Sequence, residues 1–423
     1  MILRRNLFGF GMASSNPCAG RRDRRVKKKP ALDASNTAGG VLPSDALYEI
    51  LLRLPAKELC RLRVVCQPWR SLLSDPHFIA AHAARHPLPL IVTGYDVPCD
   101  HHPCWRKGVV FDIMDLSGRV VKRVTTVAWR RERVVSIQLD LVCTSRWLGL
   151  DTRYRLLNLT TGAVCSLPEG YAPPHEELVV DYRNSVAFGK VASTGECKVL
   201  RVIENSRKRQ EPMQLYEVCT LDDVDGSKAS CCWRGKKGPP DSVGVGVWKN
   251  AVFGGIVYFL SFVPGKISSF DLETEEWRQD IPGPLISGGG GGGTDDDGGA
   301  TDWDELSMAT LGGSLVVAHR TQSTLDLWFL VDFERGLWVK QHSVPIGVPR
   351  AEPNEVCPLS KLDDGRIVLA YFGDEGWMIR TYSPRTNTVT DIAEMRNAYS
   401  VCRNDYSVGL YTGSLLSLPV VVG

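Results

Sequence analysis

Residues 42–78 read LPSDALYEILLRLPAKELCRLRVVCQPWRSLLSDPHF. Leu47, Ile50, Leu51 and Leu54 recur at the i, i+3, i+4, i+7 spacing of one helical face. Ser44 or Asp45 suits the helix start, and Pro55 stops it. A second short helix is predicted to carry Leu59, Leu62 and Val65 or Cys66 on one side. Pro68 fits the first turn of a third helix, where its missing N–H costs nothing, and that helix carries Trp69, Leu72 and Leu73. Three helices within about 40 residues cannot enclose so many apolar side chains. Some must face a partner or another part of the chain, so the stretch reads as a docking module; the bland alternative is a helical subdomain packed on its own protein.

The same residues resemble the F-box. The likeness lies in the Leu42–Pro43 opening, the Leu54–Pro55 turn, the LCRLRVVC run and the WRSLLSDPHF ending. It covers roughly a tenth of the chain, with the motifs in order.

Outward from this module the chain changes character. Residues 1–40 are rich in Arg, Lys, Ser, Ala and Gly without periodicity, and are predicted to be a disordered basic tail. Residues 1–30 hold nine Lys/Arg and one acid, a charge of +8; since the whole chain sums to +2, the remainder carries −6. Arg21, Arg22, Arg24, Arg25, Lys27, Lys28 and Lys29 form a nuclear-import or polyanion-binding candidate, with a merely solvated tail as the alternative. An organelle transit peptide is a lesser reading of this start, and Met12 competes with Met1 as the natural first residue. The 13 cysteines show no repeating spacing, which points to a reducing compartment and mostly free, buried thiols. The longest apolar run, Ala251–Val263, is too short to cross a bilayer and suits two buried strands joined by a turn. The expected localisation is nucleus and/or cytoplasm.

From about Leu88 onward short apolar runs rich in Val, Ile and aromatics alternate with Gly, Asp, Asn and Pro, the punctuation of an all-β domain. One unit recurs: strand, polar turn, strand. It is read at Ile113–Val121, Leu156–Leu167, Glu217–Trp233, Ser269–Trp277, Leu330–Trp338 and Tyr382–Ile392. The six copies lie roughly 40–65 residues apart, the period of a propeller blade. Each suits the outer hairpin of a four-stranded blade. Ala251–Phe262, Ser307–His319 and Leu359–Phe372 suit the inner strands of three of them. Stacked radially, such sheets bury both faces. The predicted fold is therefore an α+β multidomain chain: a three-helix module over 41–86, then an all-β propeller of six blades over 88–423, with a β-sandwich pair as the alternative. The repeats resemble kelch-like propellers and the associated domain of plant F-box proteins, as does the Tyr406–Pro419 ending. The Gly/Asp-rich stretch at 287–299 reads as an external loop; it lacks the Lys-Ser/Thr of a phosphate-cradling loop.

Candidate chemistry is sparse. Cys99–Cys104 reads CDHHPC, four Cys or His side chains within six residues, but the short span and Pro103 do not let the chain wrap a metal as separated ligand pairs do. It is expected to be a polar loop, with no metal and no cofactor. Cys231 and Cys232 are adjacent and read as packing residues. No nucleophile elbow, metalloprotease helix or dinucleotide fingerprint occurs. His175, His319 and His342 are isolated, and Glu176–Glu177 and Asp363–Asp364 fall in predicted turns. Basic clusters beside Trp129 and Trp233 could suggest RNA, but the acidic body argues against nucleic acid.

The F-box resemblance implies a non-catalytic substrate-recognition subunit of a cullin-based ubiquitin ligase. Its module would bind a Skp-type adaptor and, through it, cullin and RING subunits, with no membrane involved. The docking surface carries over onto Leu42, Pro43, Leu47, Ile50, Leu51, Leu54, Pro55, Leu59, Val65, Cys66 and Trp69, some of which must be the module's own core. Gln67–Pro68 departs from the polar or basic pair more usual in the family. The propeller would bind an unidentified target protein through rim loops, with Trp105, Trp129 and Trp147 as candidates. Two other readings are an F-box scaffold or nuclear regulator without ligase function, and a propeller enzyme.

Overall fold

A computed structural model describes residues 44–54, 56–85, 90–99, 102–126, 132–138, 141–147, 152–159, 163–176, 182–205, 213–221, 232–246, 248–284, 305–346, 356–373, 376–396, 406–411 and 416. The basic tail, the 287–299 stretch, Leu42, Pro43, Pro55, Trp129 and Cys231 lie outside these residues. The chain divides into two compact units, 1–47 and 48–423. Of the first, only the opening turn of a helix is described.

Among the described residues four helices come first: α1 (Ser44–Leu52), α2 (Ala56–Leu62), α3 (Gln67–Leu73) and α4 (Pro76–Arg85). The sequence predicted three. The fourth arises because Asp75 caps it: its Oδ1 accepts hydrogen bonds from the His77 and Phe78 N–H groups at 2.7 and 3.2 Å, and Pro76 supplies the first helical turn. The second helix is also shorter than expected. It ends at Leu62, and Val64 and Val65 close a tight turn through hydrogen bonds back to the Arg61 and Leu62 carbonyls.

The rest of the regular structure among the described residues is mainly β-strand. Blade I contains β1 (Leu90–Cys99), β2 (His102–Met114) and β3 (Val120–Thr126). Blade II contains β4 (Glu132–Gln138), β5 (Leu141–Trp147), β6 (Thr152–Asn158) and β7 (Val164–Ser166). Blade III contains β8 (Tyr182–Lys190), β9 (Cys197–Asn205), β10 (Met213–Leu221) and β11 (Arg234–Lys236). Blade IV contains β12 (Asn250–Phe253), β13 (Ile256–Leu260), β14 (Lys266–Asp271) and β15 (Glu276–Trp277), with β16 (Ile281–Pro282) also paired to β14. Blade V contains β17 (Leu306–Leu311), β18 (Ser314–Arg320), β19 (Thr324–Asp332) and β20 (Leu337–Pro345). Blade VI contains β21 (Val356–Lys361), β22 (Ile367–Gly373), β23 (Gly376–Ser383) and β24 (Thr388–Arg396). The last strand, β25 (Tyr406–Tyr411), returns to blade I and pairs antiparallel with β1, from Leu90↔Tyr411 to Tyr95↔Tyr406.

The inner strands β25, β4, β8, β12, β17 and β21 are neighbours in a closed circle. The fold is thus a six-bladed propeller whose ring is shut by the C-terminal strand. Five of the six predicted hairpins span the outer pair of a blade; the third, Glu217–Trp233, begins in β10 but stops one residue short of β11, with residues 222–231 outside the described residues, and the three predicted inner segments are β12–β13, β17–β18 and β21–β22.

Period-two alternation explains why these strands read as unbroken apolar runs. Val199 on β9 packs with Leu156 and Tyr154 of blade II, while its neighbour Leu200 packs with Val257 and Phe259 of blade IV. Val316 faces Leu369 and Tyr371 of blade VI, and Val317 faces Tyr258 and Leu260 of blade IV. Both faces of each sheet are interior, so consecutive residues must both be apolar.

The outer turns share one device. Asp115, Asp271 and Asp332 each accept backbone N–H hydrogen bonds two residues on through Oδ1, at 3.0, 2.8 and 3.0 Å. The turns then need a left-handed residue, supplied by Gly118 (φ 76°), Glu275 (φ 57°), Gly336 (φ 60°) and, after Ser383, Asn387 (φ 53°).

Candidate docking surface

Several apolar side chains of the helical module are interior. Leu51, Leu52, Leu59, Leu73 and Phe78 are buried. Phe78 meets the Tyr48 ring edge-on at 5.1 Å and stacks with His82 at 6.3 Å. His82 Nε2 lies 2.9 Å from the Leu54 carbonyl, tying α4 to the end of α1. At the surface, Arg85 pairs with Glu49 at 3.2 Å and Arg61 with Glu58 at 2.8 Å.

This core divides the sequence-predicted docking residues. Leu51 (1% exposed) and Leu59 (0%) are interior. Leu47, Leu54 and Trp69 are half-buried, and Cys66 is exposed. Ile50 is 45% and Val65 62% exposed. The chain also presents Val64, 81% exposed, which the helical periodicity did not single out. The adjacent Val-Val pair was the available signal: on a turn that closes a helix, two neighbouring apolar residues cannot both turn inward. Ile50, Val64 and Val65 are thus apolar side chains left exposed to water.

The β-domain candidates are dispersed. Trp105 lies on β2, and Trp147 ends β5 opposite Thr152. Trp233 is buried rather than part of a basic-aromatic surface. Exposed apolar residues include a group on the outer hairpin of blade V: Val331, Phe333, Leu337 and Val339. Phe333 stacks on Phe253 of blade IV with ring centroids 5.9 Å apart.

Several polar and cysteine positions differ from expectation. Cys99 and His102 are register partners at the end of β1 and the start of β2, so His102–Cys104 belong to a strand rather than a loop; residues 100–101 lie outside the described residues. Among the described residues no group of three or more metal-ligand side chains converges. Cys232 is exposed, not a packing residue. Cys143, Cys165, Cys197 and Cys357 are buried and carry no disulfide, in line with the expected buried thiols, but Cys219 is disulfide-bonded. Among the described residues no helix is long and apolar enough to cross a membrane. His175 is a satisfied interior residue, its Nδ1 2.9 Å from Glu217. Asp364 sits in a turn and accepts from the Arg366 N–H.

Glu275 draws in Lys198 at 3.0 Å, Arg234 at 2.5 Å and Lys236 at 2.7 Å, joining blades III and IV. Partial burial works against ionisation, but hydrogen bonds from these three cations hold its carboxyl at about 2.

Comparison with known proteins agrees with this architecture. Residues 41–80 match the F-box domain. Over most of its length the chain is similar to F-box protein At3g07870 of Arabidopsis thaliana, 24% identical over 410 residues, covering 85% of this chain and 90% of the relative. It is likewise similar to the Arabidopsis thaliana F-box/kelch-repeat protein At3g23880, 25% identical over 353 residues, covering 78% and 85%. A shorter match, to putative F-box protein At1g47765 of the same plant, reaches 39% identity over 71 residues, 17% of this chain and 18% of the relative.

Proposed function

We propose that this chain, an F-box domain followed by a six-bladed kelch-type propeller, is a substrate-recognition subunit of a cullin-based ubiquitin ligase. The F-box helices dock on a Skp-type adaptor that carries the cullin and RING subunits, and the propeller holds a target protein. The protein performs no bond chemistry of its own. It raises the effective concentration of the target beside a ubiquitin-charged enzyme. The basic run at Arg21–Lys29 fits a nuclear as well as a cytoplasmic location.

The observation that carries this reading is the exposure of Ile50, Val64 and Val65, while Leu51, Leu59, Leu73 and Phe78 of the same module are buried. Buried in a partner's groove, each would contribute on the order of 1 kcal/mol or more through apolar area removed from water.

The test is capture by full-length protein, wild type against Ile50→Asp/Val65→Asp, probed for the Skp-type adaptor and cullin. Both substituted positions are exposed, so the fold should be retained while an unpaired charge enters the interface. Wild type retaining both proteins and the variant neither supports the proposal. Adaptor without cullin favours the scaffold reading. Failure of folded wild type to retain the adaptor overturns the assignment.

A further inference from the structure

Arg63 is a buried cation in a module with little interior. It sits just past the end of α2, and its guanidinium donates to backbone carbonyls rather than to a carboxylate. Nε and Nη2 donate to the Leu73 carbonyl at 3.2 and 2.6 Å. That oxygen ends α3, where intrahelical donors run out and the helix dipole is negative, so a cation there satisfies both the hydrogen-bond and the electrostatic requirement. Nη2 also donates to the carbonyl of Leu416, 353 residues further along the chain. Leu416 is itself buried.

Leu416 follows β25, the strand that closes the propeller ring on β1. The residue just past α2 is thus hydrogen-bonded to a residue that follows, in the chain, the strand closing the ring.

We propose that Arg63 is a positioning residue that couples the F-box module to propeller closure, so that the module and the ring behave as one mechanical body. A guanidinium is suited to such a bridge, because its planar fork presents several donors in fixed directions and one group can hold two carbonyls from distant parts of the chain. Resting on the proposed ligase function, the consequence is that a target held by the propeller is presented in a set direction relative to the docked adaptor. The coupling itself does not depend on that function.

The experiment is hydrogen exchange on the full chain, comparing wild type with Arg63→Met and Leu416→Asp, and with Arg63→Lys as the milder replacement should Arg63→Met fail to fold. Coupling requires reciprocal transmission. Arg63→Met should speed exchange in peptides spanning β25 and Leu416, and Leu416→Asp should speed exchange in α2 and α3. The expected factor is roughly tenfold to hundredfold, that of losing a hydrogen bond to a charged group. Arg63→Lys, which keeps the charge without the fork, should give a smaller change in the same two places. A purely local role predicts that each substitution loosens only its own segment, and that result overturns the proposal. Because exchange is read without adaptor, failure here leaves the capture experiment standing, and failure there leaves this one standing.

Discussion

Arg201 and Glu217 face each other across β9 and β10 as register partners, both fully buried. The Glu217 Oε2 accepts from Arg201 Nε at 2.9 Å and also from Nη2. Its Oε1 accepts from the Ala172 N–H at 2.7 Å and from His175 Nδ1 at 2.9 Å. Arg201 Nη2 donates further to the Gly170 carbonyl at 2.8 Å, and the guanidinium lies 4.0 Å from the centroid of the Trp233 ring. Trp233 in turn donates from Nε1 to the Pro168 carbonyl. One ion pair therefore holds the segment connecting blades II and III against the sheet it leads into.

Glu217→Ala should be among the most destabilising single changes in the propeller. It strands the Arg201 charge in the interior and removes the acceptor for Ala172 and His175, at a cost of about 3–5 kcal/mol. Chemical denaturation should show the loss. A double change, Arg201→Met/Glu217→Leu, should recover much of it, because apolar replacement of both partners leaves no buried charge. Equal instability of single and double variants would contradict the assignment.

Gly409→Val should open the ring. Gly409 on β25 lies against β4, and a Cβ there would come within 2.4 Å of the Ile137 Cβ and 3.0 Å of its carbonyl oxygen. The inner strands of blades I and II cannot then approach as they do. Thermal melting should report the destabilisation, with increased proteolysis at the C-terminal strand.

Acid should weaken the joint between blades III and IV. In the folded chain Glu275 titrates at about 2, below its ordinary 4.5. A depressed carboxyl contributes stability above its unfolded value and loses it as pH falls through the folded one. The stability difference between wild type and Glu275→Gln should therefore be constant above about pH 4.5 and shrink between about 4.5 and 2. A difference that does not change across that window would exclude the three-cation joint.

His342 should add a second, milder acid sensitivity. Burial first, and the Lys361 charge second, pull its imidazole below the ordinary 6.5. It sits edge-on between Phe329 and Tyr382, with Nε2 buried and unpartnered among the described residues. The unfolded chain takes up the proton first, so stability should begin to fall as pH drops below about 6.5. His342→Phe should flatten that slope in pH-dependent unfolding.

Core and docking positions on the helical module should separate cleanly. Leu59→Ala removes a fully buried side chain and should cost about 2–5 kcal/mol. Val64→Ala, at an exposed position, should stay within about 0.5 kcal/mol for folding. Circular dichroism during urea titration distinguishes the two.

By itself the sequence determined the helical module, the six hairpins and their blade order, because these follow from local periodicity and turn chemistry. SFDLETEEW and LVDFERGLW each carry an Asp that captures the turn's N–H groups, and a residue four places on that takes a positive φ. Such signals lie within a few residues of one another and survive without tertiary context. The Asp75–Pro76 start of α4 was equally local, although only the fold brought it out. Tertiary structure alone decided the rest. Leu51 and Ile50 are neighbours of the same apolar type, and only the packing of the folded chain makes one interior and leaves the other in water. Arg201 and Glu217, or Arg63 and Leu416, look like unrelated residues until strand register and ring closure bring them together. Side-chain burial and long-range polar partnership depend on where distant segments meet, which no periodicity within a single segment encodes.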